Sequence, residues 1–152
     1  MLYIIMNWQK SVLIMFIGSI ILGFFITSSL LVNRASDIKS SITKGYVALW
    51  MALWMVILEM SMYGTEPPVM IYVITFIGIL LVGYLARRQV LVNDREWLKT
   101  MIQHHSSAIL TSDQILKKTT NDKVRRLAQW ISKSQQEEID YMNSLLNTSE
   151  AL

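Results

Sequence analysis

The chain has 152 residues, of which 53% are apolar, and it contains no cysteine. This apolar share is too high and too unevenly distributed for an ordinary soluble domain. The lack of cysteine excludes a disulfide framework, a thiolate metal site and a cysteine nucleophile, and the net charge of +3 is too thinly spread to indicate nucleic-acid binding.

The first long apolar run covers residues 11–32 and carries no charge. It exceeds the ~20 residues that cross a bilayer as a helix. A signal peptide is the alternative, because Lys10 precedes the run. The apolar part of a signal peptide is only ~7–15 residues long, so a retained membrane anchor is the preferred interpretation. A polar connector, NRASDIKSSITK, follows.

Two further apolar runs, at about residues 46–63 and 69–86, predict a pair of antiparallel spans. The segment between them reads GTEPP. Pro67 and Pro68 cannot continue a helix, whereas Gly64 suits a helix end.

The second span contains Met51, Met55 and Glu59 at four-residue spacing. An acidic residue inside a span is by default a functional hypothesis, and these side chains predict either a path for a soft cation or ordinary packing. Packing is preferred, because Glu59 lies near the end of the span and methionine is a common apolar filler.

The cations that flank the spans suggest an orientation. Arg34, Lys39, Lys44, Arg87 and Arg88 lie on one side of the membrane, and only Lys10 lies on the other. The positive-inside rule then predicts that the segment after the third span faces the cytoplasm.

The remaining chain predicts two amphipathic helices joined by a short turn at residues 119–122, which should lie antiparallel. Asn93 or Asp94 can cap the first helix. The apolar stripe of the first helix contains Trp97, Leu98, Met101, Ile102, Ala108, Ile109, Ile115 and Leu116. The stripe of the second contains Val124, Leu127, Ala128, Ile131, Met142 and Leu145.

Polar residues interrupt both stripes at the same level. With the turn near Thr120, His105 is expected opposite residues 135–136, so the polar layer contains His104, His105, Gln135 and Glu138, with Met101 and Met142 close by. Burying such groups without partners costs roughly 1–3 kcal/mol each. A His105–Glu138 hydrogen bond would satisfy them, and spacing alone favours that interpretation. A bound cation is the alternative. Thioether with imidazole favours copper, especially Cu(I), while imidazole with carboxylate also accepts zinc or iron.

No signature of catalysis accompanies these helices. The sequence has no phosphate-binding loop, no Ser/His/Asp arrangement, no carboxylate pair spaced for acid–base catalysis and no Glu-x-x-His motif of a di-iron centre, so no catalytic or cofactor-binding residue is predicted. A basic cluster at the turn is predicted to be a solvated surface rather than a nucleic-acid site; it contains Lys117, Lys118, Lys123, Arg125 and Arg126.

Three blocks in this region resemble the ferritin-like family called domain of unknown function 305. They read MIxHHxxAI at residues 101–109, VRxLA at 124–128 and QxxEIxxM at 135–142. The ALWMALWMVILEMSMYG segment of span two is similar to a membrane-anchored branch of that family.

The resemblance implies a four-helix bundle and metal handling, above all of copper, with Met101, His104, His105 and Met142 as the positions carried over. The chain departs from the family at Thr111, where many soluble members have methionine, and at the GTEPP turn, which is often basic in the anchored branch. In those relatives the hairpin lies outside the cytoplasm, opposite to the charge pattern, so its side stays open.

Together these features predict an all-α integral membrane protein. Residues 1–44 form an anchor helix and connector, 45–88 a transmembrane hairpin, and 89–152 a ferritin-like hairpin. Two helices cannot close a core, so a second copy should complete a four-helix bundle, and a homodimer in the lipid bilayer is expected.

The expected function is copper tolerance, storage or sensing by a protein that is not an enzyme. The predicted metal ligands are Met101, His104, His105, Glu138 and Met142. The alternative is a membrane-anchored dimerisation module that binds no metal and whose buried His–Glu layer sets the helix register.

Overall fold

A computed structural model describes residues 7–64 and 66–148, and these residues are helical with no strand, as predicted. Five helices follow one another: α1 (Trp8–Ile21), α2 (Ile42–Ser61), α3 (Val69–Arg87), α4 (Asp94–Leu116) and α5 (Asp122–Asn147). Helix α1 continues as a π-helical turn, Leu22–Ile26, and a 3₁₀ turn, Thr27–Ser29.

Three of these segments are long and apolar enough to cross a membrane: Trp8–Ser29, Ile42–Ser61 and Val69–Arg87. The first begins three residues before the predicted position, because the Asn7 side chain caps the helix by accepting a hydrogen bond from the Lys10 N–H. The second includes Lys44, which the sequence had assigned to the connector. Lys44 is buried, and its Nζ lies 5.1 Å from the centre of the Phe24 ring.

The described residues group into two compact units. One contains residues up to Ser28 together with Lys44–Val90, and the other contains Ser29–Thr43 together with the residues from Leu91 onward. The division into 1–44, 45–88 and 89–152 stays a prediction.

Small residues bring α1 and α2 close together in the first unit. A Cβ atom on Gly23 would lie 2.8 Å from Met51 Cε and 3.3 Å from Ala48 Cβ. Ser19 precedes Gly23 by four residues, and Ala52 follows Ala48 by four; all four are buried. Side chains this small at four-residue spacing let two backbones approach within a membrane.

Helix α3 ends in a Schellman motif. Val90 N–H donates to Leu85 O and Gln89 N–H to Ala86 O, at 3.1 and 3.2 Å. Gln89 takes the left-handed conformation usually given to glycine, with φ 50°. This turn ends the third span one residue after the predicted position.

In the second unit, α4 and α5 pack antiparallel. Ser132 donates to Asp113 at 2.9 Å, and His105 lies opposite Glu138. The core contains Leu98, Ile102, Ile109, Ile139 and Met142. Several residues predicted for the stripes are exposed instead: Trp97, Ile115, Val124 and Leu127. One pair of helices covers only one narrow seam, so these residues stay uncovered within a single chain.

The predicted linker between spans one and two folds against α4. A 3₁₀ turn, Ala35–Asp37, carries the buried Asp37, which accepts a hydrogen bond from Ser106 Oγ at 2.7 Å. Ser106 Oγ in turn accepts the Asn33 N–H at 3.0 Å, and Glu96 Oε2 accepts the Ile42 N–H at 2.8 Å. The connector is therefore part of the second unit, held by buried polar contacts.

These contacts give the second unit an acid-sensitive element. The hydrogen bond from Lys99, at 2.6 Å, is the main cause that lowers the pKa of Glu96 below its ordinary value of 4.5; burial opposes it, and the Ile42 N–H adds to it. A carboxylate with a lowered pKa stabilises the fold above its unfolded-state pKa, and this contribution is lost as pH falls through the folded-state pKa.

Glu96→Gln should therefore lower the free energy of unfolding by about 1–2 kcal/mol at neutral pH. It should also flatten the fall in stability below pH 4.5. Thermal unfolding followed by circular dichroism across this pH range measures both effects. Glu137→Gln is the control, since Glu137 pairs with Lys133 at 3.9 Å on the surface. Equal acid sensitivity of wild type and Glu96→Gln would contradict the assignment.

Candidate metal-binding groove

Two well-capped helices position the predicted ligands. The Asn93 side chain caps α4 by accepting the Glu96 N–H, and Asn121 caps α5 by accepting the N–H groups of Lys123 and Val124. Both helices then run unbroken past the polar layer. Residues four apart share a face of a helix, so Met101 accompanies His105 and Met142 accompanies Glu138.

The central contact joins His105 to Glu138. Nδ1 of His105 lies 3.0 Å from Oε2 of Glu138, but the direction of this contact does not meet that of a hydrogen bond. Among the buried side-chain nitrogen and oxygen atoms of residues 7–64 and 66–148, Nδ1 of His105 is the one without a hydrogen-bond partner. The distance defines an ion pair only if the imidazole is protonated, and in the neutral form Nδ1 is left without a hydrogen-bond partner.

Electrostatics keep this imidazole neutral near pH 7. Burial lowers the pKa of His105, the charge of Glu138 opposes that shift, and His104 adds to it. Glu138 opposes weakly because 53% of its side chain is exposed and water screens its charge. A neutral imidazole is the form that binds metal ions.

A groove of about 210 Å³ opens beside this pair. Its walls are Trp97, Leu98, Met101, His105, Glu138, Tyr141, Met142 and Leu145. One imidazole, one carboxylate and two thioethers thus face a space that is otherwise apolar. Four of the five predicted ligands line it.

The fifth, His104, does not line the groove. It is exposed, with its ring centre 6.1 Å from that of His105. Successive residues of a helix point about 100° apart, so two adjacent histidines cannot both face one seam. Gln135, which the sequence placed in the same layer, is half-buried and outside the groove wall.

Methionine is essential to any metal site here. The described part of the chain contains no cluster of three or more His, Cys, Asp or Glu side chains that could hold a metal ion. His105 and Glu138 alone are too few, so Met101 and Met142 have to supply ligands. Thr111 lines a different groove and donates to backbone carbonyls of its own helix.

Sequence reasoning placed Trp97 in the core and did not single out Tyr141. Both rings line the groove, although a large part of each side chain is exposed to solvent. Helical spacing could have placed both beside the predicted ligands, because Trp97 lies four residues before Met101 and Tyr141 lies three residues after Glu138.

The second span carries a polar group of its own. Glu59 is buried and accepts a hydrogen bond from Ser11 Oγ, which ties the end of α2 to the start of α1. Met51 packs beside Gly23, and Met62 is exposed. This arrangement agrees with the packing interpretation of the methionines and Glu59.

Comparison with known proteins adds family information. Residues 84–150 match a family described as Domain of unknown function (DUF305). The chain is also 36% identical to an uncharacterized protein of Acanthamoeba polyphaga mimivirus over 143 residues, which cover 91% of this chain and 93% of the viral protein. No solved structure matches the chain.

Proposed function

Because residues 84–150 match the DUF305 family and the chain matches an uncharacterized viral protein along nearly its whole length, we propose that it is a membrane-anchored metal-binding protein. It handles copper, in tolerance, storage or sensing, and carries out no turnover. The three apolar helices hold it in the bilayer, and the α4–α5 groove binds the metal.

The observation that carries this proposal is the buried, unpartnered Nδ1 of His105 in a groove with two methionines. A buried nitrogen without a partner costs roughly 1–3 kcal/mol, and a metal ion bound there would remove that cost. Two thioethers and one imidazole are soft ligands that favour Cu(I) over Zn(II) or Mg(II).

Each groove residue has a defined part in holding the ion. Met101 and Met142 supply sulfur, and His105 supplies Nδ1. Glu138 supplies a charge that partly neutralises the complex, or a fourth ligand when the ion is Cu(II). Bound copper would supply a redox-active cation, which the apolar walls Leu98 and Leu145 shield from water. His104, outside the groove, is the least favoured of the five predicted ligands.

Titration of the purified full-length protein tests this proposal. We expect one Cu(I) per chain in competition with a chromophoric chelator, and much weaker binding of Zn(II). Absence of stoichiometric Cu(I) binding would refute the proposal. Equal affinity for Zn(II) and Cu(I) would refute the role of the methionines.

A second copy of the chain would complete the ferritin-like four-helix bundle. Large apolar side chains stay exposed on α5, namely Val124, Leu127, Trp130 and Tyr141, although this helix is otherwise polar. Ile115, Val124 and Leu127 also line an open groove of about 300 Å³ between α4 and α5. A contiguous exposed apolar patch such as the one formed by Ile115, Val124 and Leu127 often marks a protein–protein interface.

Light scattering with subtraction of the detergent mass should therefore give twice the chain mass. Leu127→Glu should give the monomer, because a carboxylate would enter an apolar interface. Lys133→Glu, at an exposed position of the same helix, should leave the mass unchanged. A monomeric wild type would refute the homodimer.

The rival function is a dimerisation module that binds no metal. The 3.0 Å approach of His105 and Glu138 favours it, since the pair could set the register of the two helices. It predicts that Glu138→Gln lowers the unfolding temperature without any copper present, whereas the metal proposal predicts that copper raises that temperature.

A further inference from the structure

A second groove lies in the first unit, between the N-terminal part of α2 and the C-terminal end of α3. It has a volume of about 270 Å³, and its walls are Tyr46, Val47, Trp50, Gly83, Ala86 and Arg87. These six residues belong to two helices that are long and apolar enough to span a membrane.

Small residues on α3 keep this groove open. A Cβ atom on Gly83 would lie 3.4 Å from Trp50 Nε1 and 3.8 Å from Trp50 Cδ1, so any larger side chain would fill the space against the indole. Tyr46 is fixed on the other wall, because its hydroxyl donates to Val90 O at 2.7 Å. The groove is therefore pre-formed.

Two hydrogen-bond donors at this groove have no acceptor within the part of the chain that the structure describes. The Arg87 guanidinium is exposed and makes no ion pair or hydrogen bond with the described residues. The Trp50 side chain is 42% exposed, and its indole N–H makes no hydrogen bond with them either. The neighbouring Arg88 differs, since its guanidinium carbon lies 5.8 Å from the centre of the Tyr84 ring.

No carboxylate lines the groove to neutralise Arg87. Between Gly45 and Ala86 the only acidic residues are Glu59 and Glu66. Glu59, near the opposite end of α2, accepts a hydrogen bond from Ser11. The groove thus combines an uncompensated positive charge with mostly apolar walls.

The positions of the charged and apolar groups along the two helices fit an amphiphilic ligand. Arg87 is the last residue of α3, whereas Gly83 and Trp50 lie about one to two turns further into the apolar layer. A ligand that fits needs an anionic group at the mouth and an apolar chain along Val47 and Gly83. Basic pockets between membrane helices bind anionic lipid headgroups in this way.

We propose that this groove binds an anionic glycerophospholipid, whose phosphate accepts hydrogen bonds from Arg87 and the Trp50 indole while an acyl chain lies along Gly83. This inference rests on the membrane insertion in the proposed function but not on copper binding. A free phosphate ion could accept the same hydrogen bonds, but it would make no contact with the apolar walls of the groove.

Native mass spectrometry of the full-length protein tests the proposal. The protein is released from detergent micelles that contain equimolar dioleoyl phosphatidylglycerol and dioleoyl phosphatidylcholine. The wild type should retain phosphatidylglycerol about fivefold or more in preference, the size expected for one arginine at an anionic headgroup. Arg87→Gln should remove this preference, and Gly83→Leu should remove lipid retention by filling the groove.

Arg88→Gln is the matched control, because it deletes an adjacent charge outside the groove. Preserved preference in Arg88→Gln supports the site, while equal losses in both arginine variants would overturn it as a diffuse charge effect. Equal retention of the two lipids by the wild type would overturn it, as would displacement of the lipid by millimolar inorganic phosphate. Failure of the protein to insert into vesicles would overturn both this inference and the membrane part of the proposed function.

Discussion

Replacing His105 by alanine should weaken Cu(I) binding by the full-length protein by on the order of 100-fold or more. Loss of a residue that merely supports a metal ligand costs about 10–100-fold in affinity, and His105 is the one imidazole in the groove. The measurement is a competition titration with a chromophoric Cu(I) chelator.

Two variants sharpen this result. His104→Ala should retain wild-type affinity within a few-fold, because His104 lies outside the groove. The double variant Met101→Leu/Met142→Leu keeps nearly the same side-chain volume and should lose Cu(I) while retaining the fold. Equal losses in His104→Ala and His105→Ala would contradict the groove as the binding site.

Replacing Ile139 by alanine should destabilise the second unit by about 2–5 kcal/mol, the usual cost of truncating a buried isoleucine. Ile139 is 1% exposed and belongs to the same core cluster as Ile102 and Met142. Hydrogen–deuterium exchange should show faster exchange along α4 and α5, while α2 and α3 serve as internal references.

Ile139→Val is the graded control and should cost only about 0.5–1.5 kcal/mol. Wild-type exchange rates in Ile139→Ala would mean that the α4–α5 seam does not pack around this residue.

The sequence was most informative where one physical effect dominates. Runs of about twenty apolar residues have few alternatives to a membrane span, so three segments were found with ends within about four residues. The errors at those ends have local causes. Lys44 was excluded for its charge, although its stem is buried and its ammonium reaches the Phe24 ring.

Long-range polar contacts were beyond a pattern-based prediction. Nothing in the neighbourhood of Asp37 or Ser106 indicates that these residues meet, and each taken alone resembles an ordinary surface residue. Ile139 was part of the quoted QxxEIxxM block but was left out of the predicted apolar stripe of the second helix, where acidic residues surround it in the sequence. The approach of His105 and Glu138 was predicted because a short turn restricts the register of two helices.

The Asp37–Ser106 bond also constrains how the protein is made. Its partners lie 69 residues apart, and α2 and α3 are synthesised between them. Both of these apolar helices must therefore be synthesised before the connector that contains Asp37 can pack against α4. A fragment that starts at α4 would lack this brace and leave the Ser106 hydroxyl without its acceptor, so biochemical dissection requires the intact polypeptide.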